Sequence, residues 1–476
     1  MIRKMMCGVA ALGGALGSAS IALAQAAPIN LAKMDAAAQA TAQAGMVNKG
    51  DVSWMLVSSA LVLLMSIPAL ALFYGGLVRA KNMLSVLMQV LMIVSVAALV
   101  WVSWGYSMAF TGGSAFVGGF SKAFLMGVSA TTYAATFSNN VYLPEYVYVI
   151  FQMTFACITP ALIVGAFAER VKFTPLMIFV VVWLTVVYFP MAHMVWYFAG
   201  PDFLYTNTSD AGYLYQMGAL DFAGGTVVHI NAGIAGLVGC LVIGKRIGHG
   251  KEATPPHSLT MTMIGASLLW VGWFGFNAGS NLESNGLAGL AFINTFVATA
   301  AAAVSWAIVE QVVHGKPSML GAASGAVAGL VAITPASGFG APMTSIVLGL
   351  IVSPICFFFV STVKNKLKYD DTLDVFGVHC IGGIVGAIAT GIMADPRLGG
   401  QGWVDYTVFP SKAGTFDLGA QVITQIKAVA ITLVWSGGMS AVIFIAIDKI
   451  FGLRPSEEAE REGLDITEHG ERAYNS

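Results

Sequence analysis

Long hydrophobic segments, each of about 20 residues, recur along almost the whole chain and are separated by short polar connections. They fall at 53–75, 85–106, 147–167, 175–197, 222–243, 259–279, 288–309, 318–335, 341–361, 375–394 and 421–447. A helix of that length and composition crosses the hydrocarbon core of a bilayer. The pattern therefore predicts an all-α integral membrane protein with eleven transmembrane helices.

The N-terminal segment before the first span has the composition of an export signal. Arg3 and Lys4 precede a run of small apolar residues, and Ala22-Leu23-Ala24 offers a cleavage site before Gln25. An uncleaved membrane helix is the alternative, but the run is poor in bulky apolar residues. The predicted organisation is a cleaved signal peptide at 1–24, a polar lead-in at 25–50, a transmembrane domain at 51–450 and a cytoplasmic tail at 451–476.

The number of spans also predicts the orientation of the chain. An exported start followed by an odd number of spans places the N-terminus outside and the C-terminus in the cytoplasm. Most of the 23 lysines and arginines then fall in cytoplasmic segments, as the positive-inside rule requires. Spans one to five and six to ten form an inverted 5+5 repeat, followed by a final helix. Such repeats commonly place a substrate site near the midplane, where the two halves meet.

Composition and motifs exclude several classes of protein. Of all residues, 57% are hydrophobic and 10% are charged, and the net charge of -1 argues against nucleic acid as a partner. The cysteines, scattered at Cys7, Cys157, Cys240, Cys356 and Cys380, match neither a disulfide framework nor a zinc site. The run from Gly239 to Lys245 resembles a phosphate-binding loop, but Arg246 replaces the required Ser or Thr. We therefore expect no enzyme activity, no metal, no cofactor and no ATP-driven pump.

Two histidines inside predicted spans are the main candidates for chemistry. His229 and His379 lie 150 residues apart and both begin the pattern H-x-x-x-G-x-x-G. Ionisable residues at membrane depth are costly and usually functional. Burial disfavours the charged imidazolium, and a neutral ring both donates and accepts a hydrogen bond, so the pair suits a small polar molecule or a proton. Zinc is the alternative, but neither span offers a third ligand of suitable spacing.

Two acidic residues open the histidine-bearing spans. Asp221 precedes His229 by eight residues, or about 12 Å along a helix, which puts the histidine near the bilayer centre. Asp374 stands before His379. Each aspartate is expected to be a helix N-cap, and the charge of Asp221 would also favour the approach of a cation.

Aromatic residues provide candidates for binding a cation. Phe151 and Phe155 lie four residues apart in the third span, Trp196 ends the fourth, and Phe276 and Ser280 lie four apart in the sixth. Ring faces attract cations, and a serine hydroxyl adds an acceptor. Ordinary packing or an interfacial aromatic belt is the alternative for each ring.

Several runs resemble the ammonium transporter (Amt/Mep/Rh) family, and most closely its bacterial Amt branch. They are FYGGLVRAKN (73–82), FACIT (155–159), VGAFAERVKF (164–173), AHMVW (192–196), DFAGGTVVHINA (221–232), GWFGFNAGS (272–280), DVFGVH (374–379) and EREGLDITEHGERAYN (460–475). The resemblance implies a homotrimer in the bacterial cytoplasmic membrane in which each subunit has its own pore. It also implies that the tail and basic loops bind a PII-type regulatory protein.

The resemblance implies a role for each candidate residue. The implied roles are ammonium binding by Phe155, Trp196 and Ser280, a stacked phenyl gate of Phe151 and Phe276, a dry pore lined by His229 and His379, and an entrance acid at Asp221. Ammonium and potassium are similar in size and charge, but only ammonium can lose a proton and cross an apolar pore as a neutral molecule. We therefore expect ammonium transport with proton transfer through the histidines, and net movement of charge.

Two alternatives remain at this stage. One is an ammonium sensor with little flux. The tail after position 447 argues against it, because this tail is short and contains no signalling domain. The other is a neutral-gas channel, which would not need the cation site at Trp196 and Ser280.

Overall fold

The computed structural model describes residues 28–474, which form a helical bundle of membrane-spanning length. Ten helices in this range are long and apolar enough to cross a membrane, and an eleventh apolar helix is shorter. In chain order they are α1 (Lys49–Leu77), α2 (Ala80–Phe110), α3 (Glu145–Phe167), α4 (Phe173–Trp196), α5 (Gly225–Ile243), α6 (Leu259–Gly279), α7 (Gly286–His314), α8 (Met319–Ile333), α9 (Pro342–Leu367), α10 (Phe376–Met393) and α11 (Leu418–Phe451). The predicted helical membrane fold is confirmed, and the signal predicted at 1–24 lies outside the described residues.

The helix at the eighth predicted span is short and largely buried in the bundle. α8 has 15 residues, fewer than the about 20 that cross a bilayer, and buried turns follow it. Gly325 and Gly329 allow α7 to lie directly against it. A methyl group at Gly325 would lie 2.5 Å from Cβ of Trp306, and one at Gly329 would lie 2.6 Å from Cβ of Ala302. Small residues permit such close approach of membrane helices.

The bundle has two distinct ends, which we call the cap face and the tail face. The cap face is formed by residues 28–48 and the connections at 111–144, 197–224 and 394–417. It contains the antiparallel hairpins β1 (Tyr133–Ala135) with β2 (Tyr142–Pro144) and β3 (Val404–Asp405) with β4 (Lys412–Ala413), and the short helices Ala36–Gly45 and Tyr213–Gln216. The tail face is formed by the opposite helix ends and the C-terminal tail.

Buried polar groups join the segments of the cap face. The carboxylate of Asp202 accepts hydrogen bonds from the backbone and side chain of Asn140 and from the Tyr142 hydroxyl at 2.8 Å. Asn140 also pairs with the backbone of Ile29 through both of its side-chain atoms. The polar lead-in is therefore packed against the connection at 111–144.

The tail packs against the helix ends of the tail face. After α11 it forms α12 (Glu457–Glu462) and α13 (Leu464–His469). Asp465 accepts hydrogen bonds from the amides of Leu84 and Ser85, at 3.1 and 2.8 Å, where the α-helical part of α2 begins after a 3-10 turn. Glu468 accepts one from the first amide of α4, at 3.1 Å. The tail thus supplies caps for two helices and is packed against the bundle, unlike a chain end surrounded by solvent.

An ion network holds the loops of the tail face together. Asp370 pairs with Arg246 at 2.8 Å and lies 3.8 Å from the buried Arg170, while Glu169 pairs with Arg79 at 2.8 Å. Burial acts to raise the pKa of Asp370, but the hydrogen bonds from Arg246 and the charge of Arg170 outweigh it and lower the pKa well below its usual value. The carboxylate therefore stays charged.

Candidate functional site

Two neighbouring spaces in the bundle interior define the candidate site. A cavity of about 1370 Å³ opens at the cap face, and its walls include Phe155, Trp196, Asp221 and Ser280. A second, enclosed space of about 10 Å³ has apolar walls and is lined by His229, His379 and Phe276, among others. Phe276 therefore lines the narrow space, while Ser280, one turn along α6, faces the wide one. The second space is about as large as one water molecule needs.

Three aromatic rings meet where the wide cavity ends. Phe155 stacks on Phe276, with ring centroids 4.2 Å apart and an interplanar angle of 27°. The ring of Trp196 meets Phe155 edge-on, at 5.7 Å and 88°. These rings close the floor of the cavity above the histidines. The floor is a surface of ring faces and edges that a desolvated cation could contact.

The predicted stacking of Phe151 on Phe276 is wrong. Phe151 packs edge-on against Phe155, at 5.1 Å, and lines neither of the two spaces. The helices explain the difference. α3 runs away from the cap face and α6 runs toward it, so Phe151 lies level with Gly279, and Phe155, one turn deeper, lies level with Phe276. A methyl group at Gly279 would lie 2.9 Å from the Phe151 ring.

The three predicted binding residues face the same cavity. Trp196 ends α4, and its indole N–H donates to the backbone carbonyl of Asp221 at 2.9 Å, which holds the ring in position. The hydroxyl of Ser280 donates to the Phe276 carbonyl at 2.8 Å. Because its proton is used there, the oxygen of Ser280 can still accept a hydrogen bond from a donor in the cavity.

Asp221 is the N-terminal cap of the histidine-bearing helix α5, as predicted. Its carboxylate accepts hydrogen bonds from the amides of Gly224, Gly225 and Thr226 at 2.8, 2.6 and 2.8 Å, and from the Thr226 hydroxyl. The amide of Val227 adds a longer bond of 3.3 Å. The side chain is thus fully engaged by the helix start, while the backbone carbonyl holds Trp196.

The prediction that Asp374 caps α10 is wrong, and Asp371 is the cap. The carboxylate of Asp371 accepts hydrogen bonds from the amides of Val375 and Phe376 at 3.1 and 2.8 Å. Asp374 instead has a left-handed backbone, with φ of 61°, and pairs with Lys364. A repeated spacing contained this information, because Asp221 and Asp371 each precede a histidine by eight residues.

The two histidines are in direct contact. Their Nδ1 atoms are 3.3 Å apart, their ring centroids are 5.4 Å apart, and the side chains are 1% and 5% exposed. One Nδ1 must therefore donate to the other. In a neutral pair, one ring then presents a bare Nε2 and the other an Nε2–H. The Nε2 of His229 has no hydrogen-bond partner among the described residues.

The glycines that follow each histidine explain the repeated pattern. A Cβ at Gly233, four residues after His229, would overlap the backbone of Cys380, next to His379. A Cβ at Gly383, four residues after His379, would lie 3.2 Å from Cβ of His229. Each helix therefore provides the gap through which the other approaches its histidine. Both helices also begin with a π-helical turn that contains the histidine, at Gly225–Ile230 and Phe376–Cys380.

Trp273 is a site residue that sequence reasoning missed. Its ring stacks on His229, with centroids 5.3 Å apart, and its indole N–H donates to the Thr334 hydroxyl at 2.9 Å. Trp273 lies three residues before Phe276, so both share one face of α6. That spacing is the feature of the sequence from which the position of Trp273 in the site could have been predicted.

The zinc alternative has no support in the geometry. Within residues 28–474, no group of three or more His, Cys, Asp or Glu side chains could hold a metal ion. The histidine pair can instead exchange hydrogen bonds with a small molecule or pass a proton.

A bundle of membrane-length helices with a wide cavity at one face and a small apolar space behind it is the architecture of a multi-pass membrane transporter or channel. Comparisons with known proteins agree. The model of the Ammonium Transporter Family matches residues 53–474. An ammonium transporter of Bacillus subtilis (strain 168) is 45% identical over 426 residues, covering 89% of this chain and 98% of that protein. The chain therefore belongs to the ammonium transporter family.

Solved structures show the same fold. The crystal structure of Saccharomyces cerevisiae Mep2 superposes with a TM-score of 0.76 at 30% identity, covering 87% of this chain and 89% of that one. A structure named "Sensor Amt Protein" superposes with a TM-score of 0.77 at 26% identity, covering 88% of this chain and 98% of that one.

Proposed function

We propose that this protein takes up ammonium at the cap face, strips one proton from it and passes ammonia through the narrow space between the bundle halves. The observation that supports this most strongly is the order of the parts. A cavity that presents aromatic rings and a hydroxyl leads to stacked phenyl rings, and directly behind them two histidines in contact line an apolar space.

The cap face is then the outside of the bacterial cytoplasmic membrane. We propose eleven spans, with α1–α5 and α6–α10 as an inverted repeat and α11 added. The matching caps Asp221 and Asp371 and the reciprocal glycines after each histidine support the repeat. The proposed boundaries remain a signal peptide at 1–24, a lead-in at 25–50, the transmembrane domain at 51–450 and a tail at 451–476, and the assembly a homotrimer.

Capture would occur at the floor of the wide cavity. An ammonium ion there can face the rings of Phe155 and Trp196 and donate to the oxygen of Ser280, whose own proton is already engaged. Each ring face contributes about 0.5–2 kcal/mol, so a few contacts replace part of the lost hydration. Phe155 and Phe276 would then be the gate, with Phe151 packed behind Phe155.

Selection would follow from loss of a proton. An intact cation in an apolar space as small as one water pays a large desolvation cost. Ammonium avoids this cost by leaving its proton behind, and potassium has no proton to leave. Ammonia can donate to the bare Nε2 of one histidine and accept from the Nε2–H of the other. We propose that the pair also relays the separated proton, so that transport moves charge.

The test is the current that ammonium pulses produce in proteoliposomes. The double variant His229→Ala with His379→Ala is compared with the wild type and with His314→Ala, a control at the exposed end of α7. We expect the wild type and the control to give a current with ammonium and none with potassium, and the double variant to lose that current or its selectivity. An unchanged, potassium-excluding current in the double variant would refute the proton relay.

The tail face is the proposed docking surface for a PII-type regulatory protein, because the tail contacts the ends of α2 and α4. A sensor is the second candidate function, since the structural relative named "Sensor Amt Protein" shares the fold over most of this chain. Sustained current separates the two, because a sensor would bind ammonium without it. A neutral-gas channel would instead give flux without charge.

A further inference from the structure

The wall of the wide cavity contains an ion pair that the transport steps above do not use. Lys122 pairs with Glu145, whose carboxylate also accepts a hydrogen bond from the Tyr106 hydroxyl at 2.8 Å. All three residues line the cavity that contains the capture residues. Glu145 is buried, while the Lys122 side chain is 35% exposed. Lys122 is the only lysine or arginine in the described cavity lining, where Asp210, Asp221 and Asp417 are the other charged groups.

The position of the pair relates it to the capture site. Glu145 is the first residue of α3, and Tyr148, Gln152 and Phe155 follow on the same helical face, at spacings of three, four and three residues. All of them line the cavity. Ten residues of helix correspond to about 15 Å, so Glu145 lies about that far from Phe155, toward the mouth. A cation moving toward the capture site passes Glu145 first.

The chemistry of the niche matches the cargo. The niche consists of a carboxylate, a phenol oxygen and the Tyr106 ring, whose centroid is 6.0 Å from the Lys122 Nζ. These are the groups that hold an ammonium ion: an anion, a hydrogen-bond acceptor and a ring face. The Lys122 Nζ is itself an alkylammonium group. The protein therefore fills a preformed cation niche with its own side chain.

Hydrogen bonds of the backbone fix the position of Lys122. The amide of Lys122 donates to the Ser107 hydroxyl at 3.0 Å, and that hydroxyl donates to the Gly119 carbonyl at 2.8 Å. These bonds connect the loop to α2, which also provides Tyr106. The ammonium group is thus delivered to the niche from a defined position.

We propose that Lys122 determines specificity by occupying the niche at Glu145 and Tyr106, which would otherwise hold free monovalent cations in the path to the capture site. Without Lys122, the buried carboxylate keeps one neutral partner, Tyr106. Such a group must take up a proton or bind a cation from solution. The niche has no means of separating ammonium from potassium, because nothing there requires a proton to be lost. The effect on transport rests on the proposed function, whereas cation binding at the niche does not.

The first test measures binding alone. Radioactive rubidium, a stand-in for potassium, is equilibrated at neutral pH with purified, detergent-solubilised protein. We expect Lys122→Met to bind one more rubidium ion per chain than the wild type, with ammonium displacing it. Lys122→Arg and the double variant Lys122→Met with Glu145→Gln should resemble the wild type. Equal binding by all four proteins would overturn the proposal, and their unfolding temperatures establish that each is folded.

The second test measures transport with and without a high concentration of external KCl, replaced in the control by an organic cation salt at equal ionic strength. In Lys122→Met, potassium should raise the half-saturating ammonium concentration about fivefold, equivalent to about 1 kcal/mol. The wild type and the double variant should change little. An unaffected Lys122→Met current would contradict the role in specificity. A wild type without ammonium current would instead refute the proposed function, while the rubidium measurement still decides whether the niche binds cations.

Discussion

Replacing Asp221 with alanine should remove both the start of α5 and the support of Trp196. The carboxylate accepts three amide bonds of 2.6–2.8 Å, a weaker one at 3.3 Å, and the bond from the Thr226 hydroxyl. Its side chain is only 8% exposed and borders the wide cavity, so only water from that cavity could replace these bonds. The backbone carbonyl at this position holds the Trp196 indole at 2.9 Å. A frayed helix start would therefore also move the ring.

The size of the effect follows from the number of bonds. A hydrogen bond to a charged group contributes about 1.5–3 kcal/mol, and the loss of a single N-cap costs about 0.5–2 kcal/mol. The bonds share one carboxylate, so their contributions do not add in full. We expect Asp221→Ala to lower the free energy of unfolding by about 3–5 kcal/mol, because several buried amide donors and one hydroxyl lose their acceptor together. Asp221→Asn keeps one acceptor oxygen and should lose about half as much.

The measurement is hydrogen exchange at the amides of residues 224–227 in detergent, together with the unfolding temperature. In Asp221→Ala these amides should exchange faster, and the half-saturating ammonium concentration should rise because Trp196 loses its position. Asp371→Ala is the matched control, since it removes the corresponding cap and should expose the amides of Val375 and Phe376 instead. Unchanged protection at 224–227 with an unchanged unfolding temperature would show that the cap is not needed.

Three further changes test other parts of the structure. Phe276→Ala removes the ring that stacks on Phe155 at 4.2 Å, so water can enter the narrow space and a potassium current should appear. The control is Phe274→Ala, which should remain selective because the Phe274 ring stacks on Phe292 away from both cavities. Gly325→Val places a Cβ 2.5 Å from that of Trp306 and should lower the free energy of unfolding, measured by thermal unfolding, by about 1–3 kcal/mol or more. The control is Gly289→Ala, which should be tolerated because the new methyl group meets open space. Burial, and then the charge of Asp374, raises the pKa of Asp371 from 3.8 to about 7. The folded protein then binds this proton more tightly than the unfolded chain, so the unfolding temperature should fall as pH rises through that window, and Asp371→Asn should remove this part of the pH dependence.

The helical membrane architecture could be predicted because it depends on local composition. Each span must satisfy its own backbone hydrogen bonds inside lipid, which requires a helix, and the thickness of the bilayer then requires about 20 apolar residues in a row. The histidines were recognisable for a related reason, since a polar ring in such a segment is costly and therefore conspicuous. Among the spans at 28–474, α8 departs most from this rule, with 15 residues.

The spacing of residues along the chain could not predict which side chains of different helices make contact. Phe151 and Phe155 share one face of α3, and only the level at which α6 crosses shows that Phe155 meets Phe276. Asp371 and Asp374 both stand near the start of α10, and the left-handed backbone at Asp374 turns its carboxylate toward Lys364. The pair of Lys122 and Glu145 likewise depends on how a loop folds onto α2.

The amino-acid sequence alone determined that this chain would be a bundle of membrane helices with two histidine rings inside the membrane-spanning segments. The reason is that the partition of apolar side chains into lipid is a property of each segment. Which side chains touch was decided by the packing of helices distant in the chain. The 3.3 Å contact between His229 and His379 requires Gly233 and Gly383 to admit each other's helix backbones, a condition that no single segment contains.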